Sequence, residues 1–266
     1  MEHVQKPLKE ALQFRSSDKL AEQAIQSCSR LGTEALWAGL KPLQLDPEIT
    51  ARNRIVTTSR LDPAHASFDM MRTNILRLMR QNNWTSIAIT SPTPACGKTF
   101  VALNLAFSLA HQKDCRSLLV DLDLKRPQIG KALGLKNPPS IESYLKGESS
   151  IEDVFLRHGD NLAIAGNRQP VQFSAELLQC AETTNVLEEM RQKMSPNVVL
   201  FDMPPMLSND DVTAFLPNVD CAILIAAAEY STINEIDACE QDLAEKTNLL
   251  GVVLNKCQYS PEKYGY

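Results

Sequence analysis

Six short runs of the chain are apolar almost without interruption: TSIAIT (85–90), SLLVDLD (117–123), NLAIAG (161–166), NVVLFDM (197–203), CAILIAA (221–227) and LLGVVLN (249–255). Each is too short for a buried helix and is rich in branched residues, so each reads as a strand covered on both faces. Between them lie helix-length stretches in which apolar positions recur every three or four residues, such as KTFVALNLAFSLAHQ (98–112) and AETTNVLEEMRQKM (181–194). Strands that are apolar throughout, alternating with helices, predict an α/β fold with a mostly parallel sheet and helices on both of its faces.

Residues 1 to about 60 read differently. They hold a short helical pattern, SDKLAEQAIQSCSR, with Ser17 placed to cap it, and they include Pro42 and Pro47. Nine Lys and Arg stand there against seven Asp and Glu, so the negative balance behind the formal charge of −5 lies wholly in the remainder, with eighteen basic against twenty-five acidic residues. We therefore expect a partly helical N-terminal extension over residues 1–60, followed by the α/β domain. The acidic balance and the lack of a Lys/Arg cluster argue against a nucleic-acid partner. No apolar run reaches the eighteen or so residues of a membrane span, and the first residues show no signal-peptide core, so a cytoplasmic location is expected. The seven cysteines, Cys28, Cys96, Cys115, Cys180, Cys221, Cys239 and Cys257, are scattered without metal-ligand spacing and are expected to be reduced. His65 and His111 belong to no motif and are expected on solvated helix faces.

The segment SIAITSPTPACGKTFVALNLA (86–106) carries the first chemistry. A buried strand runs through a proline-containing loop into Gly-Lys-Thr and an apolar helix. A phosphate-binding loop needs that order, because consecutive backbone N–H groups at the helix start cradle phosphates while the helix dipole favours their charge. Thr93, Pro94, Ala95, Cys96, Gly97, Lys98, Thr99 and Phe100 form the candidate nucleotide-binding run. Lys98 would reach the β- and γ-phosphates, and the Thr99 hydroxyl would ligate Mg²⁺. The spacing GxxxxGK[ST] places its first glycine at position 92, where this chain has Pro92. Cys96 sits beside Lys98 at the helix start, which favours a thiolate; the alternative is a small apolar filler of a tight loop.

Two further strands, SLLVDLDLKRP and NVVLFDMPP, deliver Asp121, Asp123 and Asp202 to their C-terminal ends, the edge of a parallel sheet where ligands bind. Carboxylates there can hold Mg²⁺ directly or through its waters, so Asp121 and Asp202 join Thr99 as metal candidates. Three sites in the right order argue against coincidence as the source of the pattern.

With TSPTPACGKT, LLVDLDLKRP, VLFDMPPMLSNDDV and LLGVVLNK in place, residues 55–266 resemble the bacterial tyrosine kinases of polysaccharide export, the CpsD/CapB family within the MinD/ParA-related branch of P-loop NTPases. The resemblance implies a P-loop kinase domain over 61–257 that uses ATP and Mg²⁺. It implies that Lys98 and the loop amides hold the triphosphate and that Asp202 holds the metal through water. Asp121 would accept the tyrosine proton, Asp123 would orient metal or substrate, and Asn255 would contact adenine. Partition and septum-site relatives usually carry a lysine early in the loop. Thr93 occupies that place here and favours the kinase.

The resemblance also gives a use for Tyr259, Tyr264 and Tyr266, three of the five tyrosines, which crowd into the last eight residues. A flexible tail over 258–266 would be phosphorylated in trans by a neighbouring subunit; the alternative is that the rings pack or mark a contact. Family members often carry ExxRxxR where this chain has Ala66, Asp69 and Arg72, which puts the usual subunit-bridging contact in question. The lack of a span implies a kinase recruited to the inner membrane by a separate polysaccharide co-polymerase or chain-length regulator that activates it. Two other readings stay open: a MinD/ParA-like nucleotide switch, and a catalytically weakened scaffold of the polysaccharide machinery.

Overall fold

The computed structural model describes residues 30–58 and 62–257. In chain order the elements are a helix α1 at 30–39, β1 (Lys41–Pro42), α2 (Pro47–Arg52), α3 (His65–Asn82), β2 (Ser86–Ser91), α4 (Lys98–Ala110), β3 (Ser117–Asp121), α5 (Ile129–Ala132), α6 (Ile141–Leu145), α7 (Ile151–Val154), β4 (Phe155–His158), β5 (Leu162–Ala165), α8 (Ser174–Gln179), α9 (Ala181–Met194), β6 (Val198–Pro205), α10 (Asp211–Phe215), β7 (Cys221–Ala227), α11 (Ile233–Lys246) and β8 (Asn248–Asn255). All six apolar runs form strands, and the helices over 98–110 and 181–194 lie where the periodicity puts them.

Among the described residues the sheet has eight strands in the order β1-β4-β5-β3-β6-β2-β7-β8. Every neighbouring pair is parallel except β4 with β5. Side chains alternate across the strands and feed two cores. Along β6, Val198 and Leu200 join Ile87, Ile89 and the α4 side chains on one face. Val199, Phe201 and Met203 join α6, α9 and α10 on the other. Full burial on both faces explains why β2, β3, β5, β6 and β7 read as continuous apolar runs, whereas β8, expected to be covered alike, is an edge strand with Val252 and Leu254 exposed.

Residues 30–58, part of the segment expected to be an extension, pack into both cores. Trp37 is buried, its Nε1 donates to the Met194 carbonyl at 2.9 Å, and the Arg116 guanidinium lies 5.5 Å from its ring centroid. β1 pairs with β4, and Leu43 N donates to the Arg157 carbonyl at 2.7 Å. Thr57 Oγ1 donates to the Asn104 carbonyl in α4 at 2.9 Å. Neither β1 nor β4 carries a strand signal. The first is two residues long and contains Pro42; the second, FLRH, follows directly on α7. The helical pattern capped by Ser17 lies outside the described residues apart from Arg30, and so do Tyr259, Tyr264 and Tyr266.

What the fold does for function lies in the strand order. The chain leaves β2, passes through α4 and returns at β3, two places away, while β7 and β8 lie on the other side of β2. Connections therefore change direction at β2, and a crevice opens at its C-terminal end. β6 fills the place between β2 and β3. Its register sets Asp202 opposite Ile89 on one side and Asp121 on the other.

Candidate active site

The loop between β2 and α4 is held by contacts that the local sequence makes necessary. Ser91 Oγ donates to the Thr93 carbonyl at 2.8 Å, and Cys96 Sγ donates to the same carbonyl at 3.2 Å. Gly97 adopts φ +91°, and a Cβ there would fall 2.2 Å from Asn255 Nδ2, which donates to the Cys96 carbonyl at 2.9 Å. Glycine is thus required twice at position 97, by conformation and by space. Ala95 also has a positive φ, +66°. No side chain caps α4, which leaves its first-turn N–H groups open to an anion.

A cavity of about 570 Å³ opens against this loop. Pro94, Ala95, Gly97, Lys98 and Thr99 form one wall, Asp123, Lys125, Arg126 and Gln128 a second, and Pro205, Ser208 and Asn209 a third. Lys98 Nζ lies 2.6 Å from Asp123 Oδ2. Thr99 Oγ1 donates to Asp202 Oδ2 at 2.6 Å. Three strand ends have delivered one cation, one hydroxyl and the carboxylates to one place.

Asp121 is brought to the site but not to its surface. It is fully buried, and its Oδ2 accepts from the backbone N–H groups of Gln128 and Ile129 at 3.1 and 3.0 Å. Phe100 and Asn255 line a neighbouring groove of about 870 Å³, shared with Gly97, between α3 and β8. Thr93 and Cys96 line neither and support the loop from behind. The Cys96 side chain is buried, with Ser231 Oγ 3.5 Å from its sulfur, which matches the filler alternative and not an accessible thiolate. Lys125, Arg126, Gln128, Ser208 and Asn209 are cavity residues that the motif reading passes over, although they continue the quoted DLDLKRP and DMPPMLSND segments.

Electrostatically, three carboxylates, Asp121, Asp123 and Asp202, crowd around Lys98. Burial would lower the Lys98 pKa, but Asp202, Asp123 and Asp121 together hold it above its ordinary value. Burial, then Asp202, holds Asp121 well above the usual carboxylate range. Asp202 is pushed up to about 6, mainly by burial, with Lys98 and Thr99 opposing. Oδ1 of Asp121 and Oδ1 of Asp202 are both buried without a hydrogen-bond partner. Orphaned carboxylate oxygens beside a threonine hydroxyl suit a hard divalent cation such as Mg²⁺. Among the described residues no group of three His, Cys, Asp or Glu is placed to hold a metal ion.

Away from the cavity, Arg72 Nη1 bonds Asp69 Oδ1 at 2.8 Å and the Ser108 carbonyl at 2.9 Å, so its guanidinium is engaged within the protomer. His65 is half-buried, with Nδ1 2.8 Å from the Asp62 carbonyl oxygen. His111 is exposed, and its Nε2 lies 2.7 Å from the Thr57 carbonyl oxygen. No helix among the described residues is long and apolar enough to cross a membrane.

Comparison with known proteins agrees with this geometry. A family model described as an AAA domain matches residues 84–243. The tyrosine-protein kinase ptk of Acinetobacter johnsonii is 30% identical over 206 residues, covering 76% of this chain and 28% of that protein. The chain thus spans less than a third of the length of that kinase. The tyrosine-protein kinase YwqD of Bacillus subtilis is 28% identical over 220 residues, covering 81% of this chain and 91% of that protein. The solved kinase domain of the Escherichia coli tyrosine kinase ETK superposes with a TM-score of 0.69 at 26% identity, covering 80% of this chain and 84% of that one.

Proposed function

The chain belongs to the AAA-domain family and, within it, to the bacterial tyrosine kinases, and from that premise we propose that it transfers the γ-phosphoryl group of ATP to tyrosine hydroxyls, those of Tyr259, Tyr264 and Tyr266 included. The observation that carries this reading is the convergence of Lys98, Thr99 and Asp123 on one cavity at the sheet edge, with Asp202, bonded to Thr99, and Asp121 buried directly behind. Phosphoryl transfer asks for positioning and charge neutralisation more than for covalent chemistry, and these residues supply both.

In this reading Lys98 and the open amides of α4 bind the β- and γ-phosphates, and Asn255 and Phe100 border the adenine side. Thr99, Asp202 and Asp121 would hold Mg²⁺, which would supply neutralisation of phosphate charge. Asp123 parts from Lys98 as nucleotide enters and orients the acceptor; Asp121, expected to take the tyrosine proton, is buried behind the cavity wall and serves the metal instead. The tail acts in trans on a second copy. A membrane polysaccharide co-polymerase or chain-length regulator recruits and activates the kinase at the cytoplasmic face, and capsule or exopolysaccharide assembly is the process regulated.

Incubation with γ-labelled ATP and Mg²⁺, followed by phosphosite mapping, tests the proposal. Wild type should label tyrosine, the Lys98→Met variant should not, and replacing Tyr259, Tyr264 and Tyr266 by Phe should remove most self-labelling without changing thermal stability. A wild-type protein that binds ATP and labels no tyrosine would instead be a nucleotide switch or a scaffold.

A further inference from the structure

Lys125 lines the same cavity as Lys98 but faces a different partner. Its Nζ lies 2.9 Å from Asp211 Oδ1 and 3.3 Å from Asp210 Oδ1. The Asp211 side chain is completely buried, whereas that of Lys125 is 40% exposed. Asp211 Oδ2 accepts from the hydroxyl of Ser174, itself fully buried, at 2.8 Å. Asp211 opens α10, which is anchored by Phe215 packed edge-on against Phe201 of β6 at 4.9 Å between ring centroids. The acceptor is therefore fixed at the base of the lysine's reach.

The donor end is equally specific in place. Lys125 stands two residues beyond Asp123, in the segment that joins β3 to α5. Backbone bonds tie that segment down at Leu122, whose N–H donates to the Asp202 carbonyl at 2.9 Å, and at Leu124, whose carbonyl accepts from Val171 N at 2.9 Å. Beyond Leu124, the side-chain link from Lys125 is what joins the Asp123 wall of the cavity to the wall that carries Ser208 and Asn209 and runs on into α10. Shortening or releasing that link changes the separation of two walls between which transfer takes place.

We propose that Lys125 is a positioning residue, a strap from the Asp123 segment to Asp211 that sets the width of the cleft for phosphoryl transfer. The proposal rests on the kinase reading. It differs from the ordinary task of a lysine beside a buried carboxylate, which is to neutralise it and no more. Misplacement of reacting groups by about 1 Å can cost on the order of 100-fold in rate, so a strap of this kind should be visible in kcat.

The full chain is assayed with Mg·ATP, reading ADP release and tyrosine labelling together, for wild type, Lys125→Met, Asp211→Asn, the double variant and Lys125→Arg. Lys125→Met should lower both Tm and kcat, with kcat falling about ten-fold or more and KM for ATP staying within about three-fold. The double variant leaves no buried unpaired charge, so its Tm should return toward wild type while kcat stays low. Lys125→Arg keeps the ion pair and should restore both. A double variant whose kcat recovers along with its Tm, or a Lys125→Met variant with wild-type kcat, would overturn the strap and leave simple neutralisation. Wild type that releases ADP without labelling tyrosine would defeat the kinase reading while the same variants still report on the strap through ADP release. Wild type that does neither defeats both.

Discussion

Lys98 Nζ sits 2.6 Å from Asp123 Oδ2, with side-chain exposures of only 12% and 6%. The lysine meant for the phosphates is therefore already paired, and nucleotide has to displace a carboxylate to reach it. Asp123→Asn removes that competitor. Mg²⁺-free ATP should bind roughly five-fold tighter, about 1 kcal/mol of released pairing, while phosphoryl transfer falls. Titration with a fluorescent ATP analogue beside a labelling assay checks both halves; unchanged affinity would mean that the pair does not oppose binding.

Gly97 and Asn255 form the second test of the loop. A methyl group at position 97 meets Asn255 Nδ2 at 2.2 Å and a φ of +91°, so Gly97→Ala should displace Asn255 and distort the phosphate cradle. ATP affinity should drop about ten-fold or more, the equivalent of about 1.4 kcal/mol. Asn255→Ala loses the bond to the Cys96 carbonyl, about 1 kcal/mol of stability, and a side chain bordering the adenine side, but leaves the Gly97 backbone unstrained, so its loss of ATP affinity should be smaller than that of Gly97→Ala. Calorimetric titration of the two variants separates strain from a lost hydrogen bond.

Trp37 tests whether residues 30–58 are part of the domain. Its ring is buried and its indole N–H is bonded to Met194. Trp37→Ala should destabilise by about 3–5 kcal/mol in urea unfolding. A change below about 1 kcal/mol would mark the segment as dispensable to the fold.

The His158 ring stacks edge-on against Phe107 at 5.0 Å, and burial, then His111, lowers its pKa below 6.5. The unfolded chain takes up this proton more readily than the folded one. The stability that His158 contributes is therefore fully present above pH 6.5 and is lost as pH falls through the folded value. Urea midpoints should decline on acidification from pH 7.5 to about 5, and His158→Gln should flatten that slope. Parallel slopes in the two proteins would assign the acid loss to carboxylates.

Cys96 should resist modification. The residue is 1% exposed, and its sulfur points into the loop at the Thr93 carbonyl. Alkylation followed by mass spectrometry should find Cys180 and Cys257, both exposed, labelled well before Cys96. Rapid labelling of Cys96 that bound ATP blocks would revive it as an accessible thiol.

Much of this protein follows from the order of residues along the chain. Strand-length apolar runs alternating with helices predict a mostly parallel sheet, and all six appear at their expected positions, five of them buried and the sixth, β8, an edge strand left partly exposed. Lys98, Thr99, Asp121, Asp123 and Asp202 were legible because each sits at a strand end or helix start whose local geometry is dictated within a few residues. Strand order, by contrast, is a matter of which segments pair at long range. Only the placing of β6 between β2 and β3 brings Asp202 level with Asp121 and within 2.6 Å of Thr99. The pairing of Lys98 with Asp123, the burial of Asp121 and of Cys96, and the reach of Lys125 to Asp211 likewise depend on neighbours far away in sequence. So does the recruitment of Trp37 into the core. Local periodicity carries no information about such contacts, because their energies come from burial and charge pairing that exist only once the layers have closed.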